Sequence, residues 1–232
     1  MTQKHYQTLL TRIAEGHKCL AVLVDPDKFD LSHTVSFLKT LPEETTHLFV
    51  GGSSVTNGHT EATVLALKQH STLPIFLFPG DHTQITPSAH ALLFLSLLSG
   101  RNAEYLVGQQ VKSIAQLKTS NLEIIPTGYI LLDGGTESAV ARVTNTVPLP
   151  QTELEIIVHT ALAGAYMGAK VIYLEAGSGA REPVKPEVIS AVKEMLQIPI
   201  IVGGGIRTAK EREKAFAAGA DLVVMGTAFE KT

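Results

Sequence analysis

Val171-Ile-Tyr-Leu-Glu-Ala-Gly-Ser-Gly-Ala180, Ile200-Ile-Val-Gly-Gly-Gly-Ile206 and Leu222-Val-Val-Met-Gly-Thr227 decide how this chain is read. Each is a short aliphatic or β-branched run that stops in glycines and small hydroxyl residues. The spacing leaves room for one helix between successive runs. The pattern predicts parallel strands whose C-terminal ends form a phosphate site. Glycine has no Cβ, so a strand that stops in glycines turns main-chain N–H groups toward an anion. A helix expected from Thr208 to Ala218 would add its unpaired first-turn N–H groups and its dipole. A single loop of this kind is weak evidence, because glycines after strands also simply make turns. Three in order, the last two where (β/α)8 barrels commonly hold phosphate, favour a ligand.

The rest of the chain supplies the strands such a barrel needs. Lys18–Val24 reads as a buried strand that stops at Asp25-Pro-Asp-Lys28, and the proline pushes Asp25 into an extended conformation at the strand tip. Further strands are expected at His47–Val50, Pro74–Phe78, Ala91–Leu95, Glu123–Leu131, Val171–Leu174, Pro199–Val202 and Asp221–Met225. Helices are expected at Leu31–Thr40, His59–His70, Ala103–Lys118, Gln151–Gly168 and Pro186–Leu196. Asp81–His90 is polar and carries Pro87, which leaves no room for a full third helix. Asp133–Pro150 reads as a long insertion, and the chain stops too soon after Thr227 for a full last helix. The expected fold is therefore a (β/α)8 TIM barrel, modified around the third helix position, with the last helix short or missing.

Bulk properties agree with one barrel domain over residues 1–232. The chain has 232 residues, of which 44% are hydrophobic and 18% charged, enough to bury a sizeable core. A net charge of −3 gives no electrostatic footprint for nucleic acid or an anionic membrane. The one cysteine, Cys19, falls in a strand, where a buried small apolar role is expected, and it excludes internal disulfides. Residues 1–16 read as an amphipathic helix without the apolar core of a signal peptide. The apolar run Ala89–Leu98 is shorter than the roughly 20 residues of a membrane span, so a cytoplasmic location is expected.

Residues at strand tips share the catalytic face of such a barrel. They are Asp25 and Asp27, Ser53 and Ser54, the Gly80–Gln84 loop, Arg101, Tyr173, Glu175, Ser178, Gly203 to Gly205, Gly226 and Thr227. Asp25 with Ser53 offers oxygen ligands for Mg2+, which takes one or two protein oxygens and completes its shell with water and phosphate. No His or Cys spacing suits zinc. Glu175, beside the phosphate loops, is placed to accept a proton from a substrate hydroxyl; the alternative is a surface salt bridge with Arg181 or Lys185. Ala89–Leu98 is core, and next to the irregular third-helix segment it could also line a groove for a long apolar tail.

Val24-Asp-Pro-Asp-Lys28, Val50-Gly-Gly-Ser53, Phe78-Pro-Gly80, Ser99-Gly-Arg-Asn102, Pro126-Thr-Gly-Tyr129 and Tyr173-Leu-Glu-Ala-Gly-Ser-Gly179 add to the glycine triplet and Gly226-Thr227. Together they resemble the geranylgeranylglyceryl phosphate synthase family, from about residue 18 onward. The resemblance implies a prenyltransferase that joins a polyprenyl diphosphate, with geranylgeranyl diphosphate the expected donor, to the 3-hydroxyl of sn-glycerol 1-phosphate. It implies Mg2+ at Asp25 and Ser53. It places the glycerol phosphate at Tyr173, Leu174, Glu175, Ala176, Gly177, Ser178 and Gly179, at Gly203, Gly204 and Gly205, and at Gly226 and Thr227, with Glu175 as base. The bacterial heptaprenyl subgroup carries a lysine two residues before the metal-site aspartate; Leu23 stands here, which matches the archaeal-type subgroup. Chain-length-limiting aromatics cannot be carried over to a chain with no tryptophan. The small residues of Gln151–Gly168 would suit close packing against another element or another subunit of a homo-oligomer.

Two other readings share the fold. A phosphosugar isomerase would use Asp25 as acid or base opposite a second carboxylate, for which Asp133 is the candidate. A non-catalytic phosphate or lipid binder would need neither Asp25 nor Glu175. Fold alone does not choose among them.

Overall fold

A computed structural model describes residues 3–53 and 59–229. Eight parallel strands close into a barrel in sequence order: β1 (Cys19–Val24), β2 (Thr45–Val50), β3 (Ile75–Leu77), β4 (Ala91–Leu97), β5 (Glu123–Leu131), β6 (Val171–Glu175), β7 (Ile200–Gly203) and β8 (Leu222–Met225). Side chains alternate between two layers, because successive Cβ atoms leave a strand on opposite faces. Ala21, Phe49, Phe76, Leu93, Tyr173 and Ile201 fill the barrel interior. Leu20, Ile130, Leu174, Val202 and Val223 point outward and pack under the helices. Both faces are apolar, as a sheet covered on both sides requires.

The helices are α1 (Lys4–Ala14), α2 (Thr34–Thr40), α3 (Thr60–His70), α4 (Gln109–Leu117), α5 (Ala139–Thr144), α6 (Leu154–Tyr166), α7 (Pro186–Met195) and α8 (Ala209–Ala217). Helix α1 closes the bottom of the barrel, with Tyr6 and Leu9 buried against the interior layer. It has no side-chain N-cap of its own. Glu123, at the start of β5, supplies one from 117 residues away, accepting the backbone N–H groups of His5 and Tyr6 at 2.7 Å each. Among the described residues no helix is long and apolar enough to cross a membrane.

Between β3 and β4 there is only a 3-10 turn, His82–Gln84, as the polar Asp81–His90 segment predicts. Among the described residues no helix follows β8. The expected helix over 103–118 differs at its start. Glu104–Gly108 forms a π turn before α4, and the Ser96 hydroxyl bonds the Leu106 carbonyl at 3.1 Å, which supports the widened backbone. The 133–150 insertion is partly ordered as α5, capped by Ser138, and then returns so that Leu149 bridges to Leu132 beside β5. Of the small residues of α6, Ala161 and Gly164 are buried within the chain, while Ala163 is exposed. A Cβ on Gly164 would stand 2.4 Å from Leu98 Cδ1.

His47 lies inside this lower core, 4% exposed, with its Nδ1 at 2.8 Å from the Thr46 hydroxyl and its ring edge-on to Phe76. Burial, then the charges of Arg12 and His5, lowers its pKa from 6.5 to about 4. Below pH 6.5 the unfolded chain takes a proton that the folded chain refuses until about pH 4. Stability therefore falls as pH drops through that window, by about 3 kcal/mol from this residue. Urea midpoints at pH 7.5 and 5 should converge for His47→Gln compared with wild type; parallel losses would remove His47 as the cause.

Candidate functional site

A cavity of about 430 Å3 opens at the C-terminal end of the barrel. It has an acidic edge on β1, a glycine-rich edge on β6 to β8, and an apolar arm that leaves the barrel through the third-helix gap.

On the acidic edge, Asp25 lines the cavity with its side chain 19% exposed. One carboxylate oxygen accepts the Asp27 N–H at 3.1 Å, the turn that an Asp-Pro pair favours. The other stands 3.3 Å from Lys28 Nζ. The turn role and the cavity role thus coexist in one side chain. Gly52 lies directly against it, with room for a Cβ only 3.1 Å from Asp25 Oδ1. Ser53, Asp27 and Lys28 line the same edge. Ser54 lies outside the described residues.

On the opposite edge, β6 ends in two residues that point inward. Tyr173 is fully buried and stacks on Phe78 at 4.9 Å with the rings 4° from parallel. Glu175 is 6% exposed and accepts the Gly177 N–H at 2.8 Å. Burial drives its pKa from 4.5 up to about 7, against the opposing effects of the Gly177 N–H and the Tyr173 hydroxyl. That hydroxyl sits close enough to favour the carboxylate, yet has no hydrogen bond of good geometry. Glu175 is therefore a buried acid poised near neutrality, where sequence also allowed a surface salt bridge.

The glycines at the end of β7 do more than bare the backbone. A Cβ on Gly203 would fall 2.4 Å from the Tyr173 hydroxyl and 2.8 Å from Glu175 Oε2. On Gly204, at φ +80°, it would fall 2.3 Å from Glu175 Oε1. These positions stay empty so that the carboxylate has somewhere to sit. Ser178, Gly204, Gly205, Gly226 and Thr227 line the cavity around it.

Five of the residues expected to hold the glycerol phosphate do not line it. Leu174 and Ala176 are buried in the layer under the helices. Gly177 and Gly203 support Glu175 from behind through the contacts just described, and Gly179 is exposed at the rim. Arg101 also stays outside, its guanidinium bonded to the carbonyls of Leu98 and Gly100. The helix expected after the glycine triplet is α8, and its first turn carries a capping box. Glu211 accepts the N–H groups of Arg207 and Thr208 at 2.8 and 2.9 Å, and the Thr208 hydroxyl takes that of Glu211 at 3.2 Å. The capping box engages the N–H groups of Arg207, Thr208 and Glu211 within the chain, and leaves those of Ala209 and Lys210 outside it. Arg207 was missed, although a cation directly after Gly-Gly-Gly-Ile is a readable signal. It lines the glycine-rich edge, held by the Ala180 carbonyl at 2.6 Å.

The apolar arm uses both faces of β4. Leu93, Leu95 and Leu97 come from inside, Leu92 and Phe94 from outside, joined by Ile85 from the third-helix turn. Gln110 and Ser113 of α4 and Tyr105 of the π turn close its far side. The missing helix thus becomes a passage. Asp133 takes no part; it is exposed and accepts the Gly135 N–H.

A TIM barrel that gathers a buried near-neutral carboxylate, a glycine-rich edge and an apolar exit around one cavity is that of an enzyme. The chain belongs to the PcrB family, whose model matches residues 12–232. It is 56% identical to the geranylgeranylglyceryl phosphate synthase of Zunongwangia profunda over 92% of this chain and 91% of that one. It is 41% identical to that of Thermococcus kodakarensis, covering 97% and 89%. The crystal structure of (S)-3-O-geranylgeranylglyceryl phosphate synthase from Thermoplasma acidophilum, in complex with sn-glycerol-1-phosphate, superposes with a TM-score of 0.90 at 32% identity. That match covers all of this chain and 93% of the other.

Proposed function

We propose that the chain transfers a polyprenyl group, with geranylgeranyl diphosphate the expected donor, to the 3-hydroxyl of sn-glycerol 1-phosphate. The observation that carries this reading is one continuous cavity joining Glu175 and the glycine nest to an apolar arm. A phosphosugar isomerase has no use for that arm, and Asp133 is not there to serve as its second carboxylate.

The glycerol phosphate sits on Gly204, Gly205, Gly226 and Thr227, with Arg207 at the rim. This fixes the acceptor hydroxyl near Glu175 and turns an encounter into an oriented reaction. The allylic C–O bond of the donor breaks and diphosphate leaves with the bonding pair. The acceptor oxygen bonds to the allylic carbon, and its proton passes to Glu175 Oε2, because Oε1 is engaged by Gly177. Phe94, Leu95 and Ile85 hold the tail and keep water from the cation-like carbon.

The acidic edge suits Mg2+. Its donors are hard oxygens, and among the described residues no three His, Cys, Asp or Glu groups converge, so most of the shell would be water and diphosphate. Asp25 and Ser53 would hold the ion, which supplies neutralisation of the leaving charge. The test is formation of lipid-soluble product from radiolabelled sn-glycerol 1-phosphate and a panel of polyprenyl diphosphates, with Mg2+ or with chelator. Mg2+-dependent product is expected; folded protein giving none with any donor overturns the reading.

A further inference from the structure

Gln84 lies outside the set of strand-tip residues that touch substrate in the reading above, and it is 2% exposed. It sits in the 3-10 turn that replaces the third helix. Its side-chain amide makes three bonds, two to the loop after β2 and one back to the start of its own loop after β3. Oε1 accepts the N–H of Gly52 at 3.3 Å and of Gly80 at 3.1 Å, and Nε2 donates to the Gly52 carbonyl at 3.0 Å.

Those loops follow β2 and β3, and they touch backbone to backbone. A Cβ on Gly80 would stand 2.5 Å from the Gly52 carbonyl oxygen and 2.6 Å from that of Ser53. The strand ladder holds them only as far as the Phe78 N–H bond to Val50, at 2.8 Å. Past that point, among the described residues, no backbone hydrogen bond joins the two loops. Among the described residues the Gln84 amide is the hydrogen-bonded link. Gly52 in turn forms the floor under the Asp25 carboxylate, and Ser53 follows it. In a regular barrel a helix would brace these loops from outside; here one buried amide does so.

We propose that Gln84 is a positioning residue for the diphosphate side of the reaction. It locks the β2 and β3 loops in one register and so fixes Asp25 and Ser53 against the leaving group, without touching substrate itself. The proposal rests on the prenyltransfer reading for its kinetic consequence, while the clamp can be measured without any substrate. A buried glutamine with all three bonds directed to two glycines is more than packing needs, since methionine would fill the same volume.

The test pairs Gln84→Met with Gln116→Met. Gln116 bonds the carbonyl of the neighbouring Ile85 at 2.8 Å from the outer side, so its loss perturbs the same turn without freeing the loops. With Gln84→Met, kcat/KM for geranylgeranyl diphosphate should fall about 10- to 100-fold, the size expected when reacting groups are misplaced by about an ångström. Calorimetric affinity for sn-glycerol 1-phosphate should stay within twofold, because its nest is on the other edge. Gln116→Met should keep both values. Equal losses on the two substrates, or a Gln84→Met enzyme as active as wild type, overturns the proposal. Amide exchange in the wild type gives a second reading that needs neither a stable variant nor activity. Gly52 and Gly80 N–H groups must exchange slowly, and exchange as fast as free loop amides removes the clamp. Slow exchange in a protein without prenyltransfer would instead count against the function.

Discussion

Glu175→Gln is expected to lower kcat at least 100-fold while leaving the affinity for sn-glycerol 1-phosphate nearly unchanged, about the loss typical of removing a general base. Glutamine has the same shape, and its carbonyl oxygen can still accept the Gly177 N–H. What it cannot do is take a proton. Wild-type kcat/KM should rise with pH through about 7, where the buried carboxyl ionises, and fall about tenfold per unit below it. The variant should lose that limb. Stability should move the other way. Between pH 4.5 and about 7 the folded chain holds a proton that the unfolded chain has released, so ionisation above pH 7 costs the folded state about 3 kcal/mol. Glutamine removes that cost, and the variant's thermal midpoint at pH 8 should exceed that of wild type. Equal losses in turnover and in binding would demote Glu175 to a contact; a variant less stable at pH 8 would mean that the carboxylate is not held against its own charge.

The strand ends were legible because their signals are local. A run of β-branched residues that stops in glycines announces both a strand and its tip, and the proline after Asp25 fixes where the first strand ends. The gap at the third helix was legible for the same reason, since a polar segment with Pro87 cannot make a full helix. What escaped sequence is what depends on the opposite side of the barrel. Period-two alternation implies that Leu174, between Tyr173 and Glu175, faces outward, but the motif Tyr-Leu-Glu-Ala-Gly-Ser-Gly reads as one unit and hides it. The cradle that Gly203 and Gly204 form for Glu175 joins residues from adjacent strands, so nothing near either one records it. Sequence placed the Gly80–Gln84 loop on the catalytic face, but neither the inward bonds of Gln84 to Gly52 nor Glu123 capping a helix 117 residues away carries a pattern that a window of neighbours could detect.

Asp25→Asn separates the charge of this residue from its shape. The asparagine oxygen can accept the Asp27 N–H, so the turn after β1 survives. The group also keeps its place above Gly52. The fold should therefore stay intact, with a thermal midpoint within a few degrees of wild type and unchanged sn-glycerol 1-phosphate binding. Turnover should fall by roughly three orders of magnitude, about 4 kcal/mol of transition-state stabilisation. The reason is electrostatic. Lys28 Nζ, 3.3 Å from the carboxylate, shows that this edge already draws a cation, and an amide has no charge to draw one. Added Mg2+ should not restore the variant, whereas wild type treated with chelator should recover fully. If Asp25→Asn keeps more than a tenth of its turnover, the leaving group is neutralised elsewhere, and Lys28 with Arg207 would be the cations to change next. If instead turnover is lost but high Mg2+ restores it, the carboxylate raises the local ion concentration without holding the ion in place. The kinetic order in Mg2+ then tells a bound ligand from a field.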